Sequence, residues 1–381
     1  MPGIAILGAG IFAKEAHLPA LHALGSDAPP LLAVYSRSEA TAKECSEAAV
    51  SLGLAPAPAI YHDGDAEHNL DALLARPDIT AVIVVLPITL QPEIIRKAFA
   101  AGKHVLSEKP VAPDVASGIA LIKEYEEKYK ANLVWRVAEN FEAEPGFRAA
   151  GKLIRDGKIG KVNFFKATVM NFIDVGNKYY KTPWRTVPDY QGGFLLDGGV
   201  YQGGFLLDGG VHTIGALRTM LPHPLTHLSA YASSNFDYLK PHDTINAVVQ
   251  SAGNFHGIVE LSFGAPTAAN PVADQYIITG GEGWLTVNMK HTAGKSVLRI
   301  HLRRVVRDHE GKRLREEEET MDLPGTGVKS EFESFFEKIE GKETMDIGDP
   351  VQALKDVAFI QAGLNSEGVS IDLEKLVVEG K

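Results

Sequence analysis

Two side chains four residues apart, Asp208 and His212, have the types and spacing that suit acid–base chemistry. An imidazole titrates near neutral pH, so it can take up or release the proton of a hydroxyl group. A carboxylate one helical turn away shares its face and can orient it and stabilise its charged form. Lys109, which precedes Pro110, carries an ammonium that can donate to an oxygen on which negative charge develops. These three residues predict a catalytic site for proton exchange at the oxygen of a hydroxyl or carbonyl group.

A glycine turn near the start of the chain predicts a dinucleotide site. Gly8, Gly10 and Ala13 have the spacing G-x-G-x-x-A and lie between the apolar run 4–7 and a helix-like stretch. The first glycine permits a tight turn, the second lets a pyrophosphate approach the backbone, and the small third residue lets helix and strand pack closely. The helix N-terminus would then hold the anion. The alternative is a tight turn in a sheet that binds nothing.

The end of the second predicted strand sets the preference between the two nicotinamide dinucleotides. NAD-binding sites usually carry an Asp or Glu there for the ribose hydroxyls, but this segment has no carboxylate before Glu39. Ser36 and Ser38 can donate hydrogen bonds, and Arg37 can pair with a 2′-phosphate. The segment therefore favours NADP(H) over NAD(H). The alternative is that Arg37 is a solvated turn residue and that other groups hold NAD(H).

The composition argues against several partners. The 381-residue chain has 38 Lys and Arg against 48 Asp and Glu, a formal charge of −10, whereas nucleic acids and anionic membranes attract cationic surfaces. The longest apolar run, about residues 79–90, is too short to span a bilayer, and we recognise no signal peptide. One cysteine, Cys45, excludes an internal disulfide framework and fits a reducing, cytoplasmic setting. No clustered Cys or His completes a zinc site with Asp208 and His212, so we expect no metal.

The pattern of apolar runs predicts an α/β domain followed by an α+β domain. Over residues 1–137, short apolar runs alternate with helix-like stretches, and the run 81–86 is continuous, as in a strand buried on both faces. Repeated βα units of this length predict a Rossmann dinucleotide-binding domain with a parallel sheet. Over residues 138–381, closely spaced strand-like runs predict a large open, mostly antiparallel sheet. The last helices are expected either there or packed against the first domain, and the charge-rich stretch 303–319 is expected to be a solvated edge.

Two further motifs carry a resemblance to a known family. Residues 102–110 read GKHVLSEKP and residues 207–212 read LDGGVH. With the glycine turn, these Glu-Lys-Pro and Asp-x-x-x-His motifs resemble the glucose–fructose oxidoreductase, inositol dehydrogenase and MocA-like (Gfo/Idh/MocA) family. The GIFA…HLP opening and the WR…GGF…DGGVH block are similar to a fungal branch of NADP-dependent oxidoreductases.

The resemblance implies an NADP-dependent oxidoreductase that acts on CH–OH or C=O groups of a small molecule. It also implies a homodimer or higher homo-oligomer, whose interface often lies on the open sheet. The cofactor-binding residues that it implies are Gly8, Gly10, Ile11, Phe12, Ser36, Arg37, Leu86, Pro87, Gln91, Glu108, Lys109, Asn140, Trp184 and Arg185.

Two positions depart from the family pattern. Relatives often carry a histidine where this chain has Gln91, which can still bond a cofactor or cap a helix. Many carry an aspartate where this chain has Gly215, which cannot supply a second carboxylate. The missing carboxylate argues against a polyol as the substrate. A sugar derivative, an aldehyde or a ketone remains open as the substrate. Two other functions stay open: a catalytically impaired, cofactor-binding regulator of the same fold, and a dihydrodiol-dehydrogenase-like enzyme or nicotinamide-dependent glycosidase.

An internal duplication lies within the segment that carries the catalytic pair. Residues 190–200 and 201–211 both read YQGGFLLDGGV. Asp197 in the first copy is followed at the fourth place by Tyr201, so only the second copy continues into the Asp208–His212 pair. A tandem duplication or an error in the gene model would produce this pattern. We expect Asp208 and His212 to hold the catalytic places, with most of 190–200 bulging toward the cleft mouth. The competing hypothesis is a folded but impaired protein.

Overall fold

The computed structural model describes residues 2–54, 56–181, 204–268, 274–292 and 295–380. Contacts within the chain group it into two units. The first unit takes Met1–Ala112, Ala116–Asn140 and Gly327–Leu354, and the second takes Pro113–Val115, Phe141–Thr326 and Lys355–Lys381. A segment near the end of the chain thus folds with the N-terminal unit. The domain boundary after residue 137 stays a prediction.

Short runs of aliphatic and β-branched residues form a six-stranded parallel sheet in the first unit. The strands are β1 (Gly3–Leu7), β2 (Leu31–Ser36), β3 (Ala59–His62), β4 (Ile79–Val84), β5 (His104–Glu108) and β6 (Trp135–Ala138). Their order is β3-β2-β1-β4-β5-β6, and every neighbouring pair is parallel. Residues 81–84 are fully buried, as predicted for a strand covered on both faces. This is the predicted Rossmann fold, and its strand order reverses between β1 and β4.

Eleven α-helices are found in the described ranges, and none of them is long and apolar enough to cross a membrane. They are α1 (Leu18–Leu24), α2 (Glu39–Ser51), α3 (Leu70–Leu74), α4 (Gln91–Ala100), α5 (Val115–Lys128), α6 (Asn140–Ala143), α7 (Pro145–Arg155), α8 (Gly204–Met220), α9 (Gly327–Ile339), α10 (Pro350–Asn365) and α11 (Leu373–Glu379). A single π-helical turn, Ala13–His17, precedes α1. Ser38 caps α2 by accepting a hydrogen bond from the backbone N–H of Thr41.

The core of the first unit joins the start of the chain to helix α9. Phe332 and Phe335 of α9 are fully buried in one cluster with Ile4 and Ile6 of β1 and Leu21 of α1. Fully burying one such phenylalanine contributes about 1.5–3 kcal/mol. The amphipathic helix near the end of the chain is therefore part of the core that supports the glycine turn.

In the second unit, nine strands of the described residues form one sheet. They are β7 (Val162–Met170), β8 (Leu225–Ser233), β9 (Thr244–Ser251), β10 (His256–Ser262), β11 (Gln275–Gly280), β12 (Gly283–Thr292), β13 (Lys295–Arg307), β14 (Arg313–Pro324) and β15 (Ile371–Asp372). Their order is β14-β13-β12-β11-β7-β10-β9-β8-β15. Only β7 and β10 pair in parallel among these strands. The predicted α+β unit with a large open, mostly antiparallel sheet is confirmed.

Helix α8 lies close to this sheet because glycines occupy the adjacent positions 209 and 210. A Cβ atom added at Gly209 would stand 2.5 Å from the ring of Phe263, and one added at Gly210 would stand 2.7 Å from the side chain of Leu261 on β10. Contacts that short do not occur between real side chains, so a larger residue at either place would push the helix outward. The two glycines fix the depth at which α8 packs.

The charge-rich hairpin of β13 and β14 forms one edge of the sheet. Cross-strand ion pairs join Arg299 to Asp322 and Arg303 to Glu316, each with an N–O distance of 2.6 Å. These side chains are well exposed to solvent, so each pair adds little stability. Charges along an edge strand discourage pairing with a foreign sheet. The many charges of this segment are therefore accounted for by its place at a solvated edge of the sheet.

Candidate active site

The glycine turn after β1 has the geometry of a phosphate cradle. Gly8 has φ +114°, and a Cβ atom there would stand 2.0 Å from the carbonyl oxygen of Val85. Only glycine fits that position, because both the backbone angle and the space exclude a side chain. Gly10 is exposed, with no atom within 4 Å of its absent Cβ, and a helical turn begins at Ile11. The turn thus leaves open the approach that a dinucleotide pyrophosphate requires.

Most of the predicted cofactor residues lie at one edge of the parallel sheet. Leu86 and Pro87 follow β4, Lys109 follows β5, and Asn140 comes shortly after β6. Since all six strands run in one direction, their carboxyl ends meet at the same edge, and open α/β sheets bind ligands there. The side chains of Leu86, Pro87 and Asn140 are half-buried. The structure brings these residues to the edge that carries the glycine turn.

Gln91 opens helix α4 and is buried, with 1% of its surface exposed. Its amide oxygen Oε1 has no hydrogen-bond partner among the residues that the structure describes. A buried acceptor without a donor is costly, so such an atom marks a place where a ligand is expected. The orphaned oxygen fits a hydroxyl or amide of a bound cofactor.

The end of β2 presents a cation and several hydroxyl groups. Ser36 Oγ lies 2.6 Å from Thr41 Oγ1, and Ser38 Oγ lies 2.8 Å from the same atom. Arg37 between the two serines is exposed and forms no ion pair within the described part of the chain. Burial raises the pKa of neighbouring Tyr35, and its 2.6 Å hydrogen bond to Asp63 raises it further. Tyr35 therefore stays neutral, and the charge that this loop offers to a ligand is that of Arg37.

Glu108 and Lys109 differ in their surroundings although they are adjacent. Glu108 is buried, and its Oε1 accepts a hydrogen bond from Nε2 of His17 at 2.7 Å. Lys109 is half-buried, and its peptide bond to Pro110 is cis. The predicted contact of Glu108 with a cofactor stays a prediction. Sequence reasoning gave His17 no role, although it belongs to the HLP segment that carries the resemblance.

Asp208 and His212 lie on one helix. Helix α8 begins at Gly204, so both residues are inside it, one turn apart and on the same face. Both side chains are half-buried, and the ring of Phe141 stacks on His212 with a centroid distance of 4.7 Å. The two residues are therefore neighbours on one helix face, and the ring contact restrains the imidazole. Lys109 belongs to the first unit, whereas Asp208 and His212 belong to the second.

A buried ion triad anchors helix α8. Arg218 donates to both carboxylate oxygens of Asp356 on α10, at 3.1 and 2.9 Å, and to Glu142 at 2.9 Å. Burial by itself lowers the pKa of Arg218, but the charges of Asp356 and Glu142 raise it above its usual range. The guanidinium is therefore permanently charged. This triad ties the helix that carries Asp208 and His212 to α6 and α10, and sequence reasoning missed it.

Two of the predicted cofactor residues, Trp184 and Arg185, lie outside the described residues, as does the first copy of the duplication, residues 190–200. From Gly204 onward, the second copy is part of α8. No group of three or more His, Cys, Asp or Glu side chains arranged for a metal ion is found in the described ranges.

Comparison with known protein families matches both units. A family described as "Oxidoreductase family, NAD-binding Rossmann fold" matches residues 3–135, and the "GFO/IDH/MocA C-terminal domain" matches residues 147–202 and 201–286. The chain belongs to the Gfo/Idh/MocA family of oxidoreductases. The family predicted from the Glu-Lys-Pro and Asp-x-x-x-His motifs is thereby confirmed.

Several known proteins resemble this chain over almost its whole length. The dehydrogenase FPY6 of Fusarium mangiferae is 38% identical over 96% of each chain, which agrees with the expected fungal branch. An oxidoreductase structure from Thermotoga maritima is 30% identical, with a TM-score of 0.78, and covers 98% of this chain and 99% of that one. KijD10, a 3-ketoreductase from Actinomadura kijaniata solved with NADP, is 22% identical, with a TM-score of 0.69, and covers 95% and 97%.

The match to the Gfo/Idh/MocA C-terminal domain is interrupted at the duplication. Its first part ends at residue 202 and its second begins at residue 201, whereas the copies meet between residues 200 and 201. Each part therefore contains one complete copy. A local insertion of one copy into an otherwise ordinary family domain accounts for this pattern.

Proposed function

We propose that the protein is an NADP(H)-dependent oxidoreductase that transfers a hydride between nicotinamide and a small hydroxy or carbonyl compound. The observation that carries the cofactor choice is Arg37, an exposed cation without an ion pair in the described part of the chain, beside the hydroxyls of Ser36, Ser38 and Thr41. A 2′-phosphate carries the negative charge that can pair with the guanidinium, and its oxygens can accept hydrogen bonds from the hydroxyls. The substrate class is a sugar derivative, an aldehyde or a ketone.

The cofactor would be held by the glycine turn and by the carboxyl edge of the sheet. Gly8 and Gly10 form the cradle for the pyrophosphate, Arg37 takes the 2′-phosphate, and Gln91 gains a donor for its buried oxygen. Bound NADP(H) would supply or accept the hydride. The other cofactor contacts that we propose are Ile11, Phe12, Ser36, Leu86, Pro87, Glu108, Lys109, Asn140, Trp184 and Arg185.

Three residues of the chain would handle the proton and the developing charge. The ammonium of Lys109 donates to the substrate oxygen and stabilises the alkoxide. The imidazole of His212 exchanges the hydroxyl proton, because an imidazole nitrogen can both accept and donate a proton. Asp208, one turn away on α8, orients that imidazole and stabilises its charged form.

Fluorescence titration with NADPH and NADH, followed by a panel of carbonyl substrates, tests this function. We expect tight NADPH binding, weaker NADH binding, and oxidation of NADPH by at least one aldehyde, ketone or keto sugar, with the alcohol as product. Preference for NADH would contradict the cofactor choice. Binding of NADPH without turnover of any carbonyl compound would contradict the enzymatic role.

A second candidate function is a cofactor-binding regulator with impaired catalysis. The duplication favours it, because it adds eleven residues to the segment that carries the proposed catalytic pair, and a 1 Å displacement of a catalytic group can cost about 100-fold in rate. Deleting either copy gives the same 370-residue chain. Carbonyl reduction by the shortened chain and not by the full one would support the regulator.

We also propose a homodimer or higher homo-oligomer built on the open sheet, in the cytoplasm. The exposed apolar side chains Val248 and Ile258 are direct cross-strand neighbours on β9 and β10, and Phe164 is exposed on adjacent β7. Such a patch on a sheet face is typical of protein interfaces. Sedimentation of wild type and Ile258→Glu tests this, since a dimer through this face should dissociate in the variant.

A further inference from the structure

A buried hydrogen-bonded pair connects two distant parts of the first unit. His17 is 0% exposed and Glu108 is 7% exposed, and the distance from Nε2 to Oε1 is 2.7 Å. The two residues stand 91 positions apart in the sequence. His17 ends the π-helical turn that follows the glycine turn, and Glu108 ends β5. The pair therefore joins the element that would cradle the cofactor to the residue directly before Lys109.

The imidazole of His17 is held in a defined orientation. Phe12 and Phe332 each contact it edge-to-face, with centroid distances of 5.2 Å. A carboxylate oxygen accepts hydrogen bonds, so we assign the N–H to Nε2, which donates to Glu108 Oε1. Nδ1 has no hydrogen-bond partner within the described part of the chain. The contact with Glu108 is thus the side-chain hydrogen bond that orients the ring.

The geometry points to His17 as a positioning residue for Lys109. By fixing Glu108, it would set where the backbone of Lys109 stands relative to the glycine turn, and hence relative to the bound nicotinamide. This inference rests on the proposed function, because it takes Lys109 as the group that contacts the substrate oxygen. His17 is fully buried, so it does not contact solvent, and its ring nitrogens face the protein interior.

Two substitutions of His17 distinguish a role in positioning Lys109 from a role in the stability of the fold alone. In His17→Gln, the amide nitrogen stands about where Nε2 stands and can still donate to Glu108; His17→Leu removes the donor. His104→Leu is the matched control, because His104 accepts a 2.9 Å hydrogen bond from the backbone of Val134 at the other end of the same strand. That end is about 13 Å from Glu108, at 3.3 Å per residue.

We expect His17→Leu to lower kcat by about 10- to 100-fold, with the NADPH Kd changed by less than about threefold. His17→Gln should recover most of the rate, and His104→Leu should leave kcat near that of the wild type. Equal losses of kcat in His17→Leu and His104→Leu would indicate a merely structural role and overturn the inference. If His17→Leu does not fold, His17→Asn replaces it, because its amide is too short to reach Glu108.

Hydrogen–deuterium exchange gives a readout that needs no substrate. We expect faster amide exchange over residues 107–111 in His17→Leu and wild-type exchange there in His17→Gln and His104→Leu. Unchanged exchange over 107–111 in His17→Leu would overturn the inference even if the enzyme is active. Absence of carbonyl turnover in the wild type would instead contradict the proposed function, and the exchange result would still decide whether His17 positions Lys109.

Discussion

Substitution of Arg37 by alanine is expected to remove the discrimination between NADPH and NADH. Arg37 follows β2, is exposed, and forms no ion pair within the residues that the structure describes. The change therefore breaks no contact of the fold, and the free energy of unfolding should stay within about 0.5 kcal/mol of the wild type. Only the charge available to a bound ligand is altered.

The size of the effect follows from the exposure of Arg37. A hydrogen bond to a charged group contributes about 1.5–3 kcal/mol, and about 1.4 kcal/mol corresponds to a tenfold change in Kd. Water and salt screen an exposed pair, so the lower end of this range applies. We expect the NADPH Kd to rise about tenfold in Arg37→Ala and the NADH Kd to stay unchanged, since NADH carries no 2′-phosphate.

Fluorescence titration of both cofactors at low and high salt measures this. Lys43→Ala is the matched control, because Lys43 is an exposed cation on α2 without an ion pair among the described residues. The NADPH preference should shrink as salt rises in the wild type and should be small at all salt concentrations in Arg37→Ala. Equal weakening of NADPH and NADH, or the same effect in Lys43→Ala, would refute the assignment of Arg37 to the 2′-phosphate.

Three further predictions concern the second unit, the lone thiol and the duplication. Arg218→Met leaves the carboxylates of Asp356 and Glu142 buried without their cation, so we expect a loss of about 3–5 kcal/mol in stability, measured by urea unfolding; a loss below 1 kcal/mol would show that the triad does not anchor α8. Burial raises the pKa of Cys45 to about 11, so the thiol stays protonated at pH 8 and should react with iodoacetamide only as the protein unfolds; rapid labelling of the native protein would contradict its burial. The 370-residue chain lacking one copy should bind NADPH as the full chain does and reduce a carbonyl substrate at least as fast; slower turnover would show that the extra segment contributes to the site.

The parallel sheet of the first unit is predictable from local pattern. A central strand buried on both faces must be apolar at every position, and residues 81–84 meet that condition. The glycine motif is equally local, because the left-handed backbone at Gly8 and its close approach to Val85 require glycine at that place. These patterns predict where each strand ends and its loop begins. They therefore also predict which residues lie at the carboxyl edge of the sheet.

Helix α7 (Pro145–Arg155) is not predictable in the same way. It contains Gly146 and Gly151, and glycine costs about 1 kcal/mol in a helix relative to alanine. The structure shows why both are there: a Cβ atom at Gly146 would stand 2.4 Å from Leu298, and one at Gly151 would stand 2.5 Å from the carbonyl oxygen of Thr219. Close packing of the helix requires glycine at these two positions. The packing partners are 68 or more positions away in the sequence, so the residues around the helix do not reveal this requirement.

The sequence predicts the individual side chains of the candidate site. It does not predict the contacts that hold those side chains in place. The i,i+4 spacing of Asp208 and His212 places them on one helix face wherever the helix lies. The pairs His17–Glu108 and Arg218–Asp356 join residues 91 and 138 positions apart. Such contacts depend on how distant elements pack, so the sequence identifies the chemical groups while the structure identifies what holds them.

Hydride transfer by variants of the proposed catalytic residues tests the central claim most directly. The measurement is single-turnover loss of nicotinamide absorbance when enzyme-bound NADPH meets a carbonyl substrate, for the wild type, Lys109→Met and His212→Asn. We predict rates lower by about 10²- to 10⁴-fold in each variant, with the NADPH Kd of His212→Asn unchanged. Wild-type transfer rates in both variants would contradict the account, because they would show that neither side chain handles the proton or the developing oxyanion.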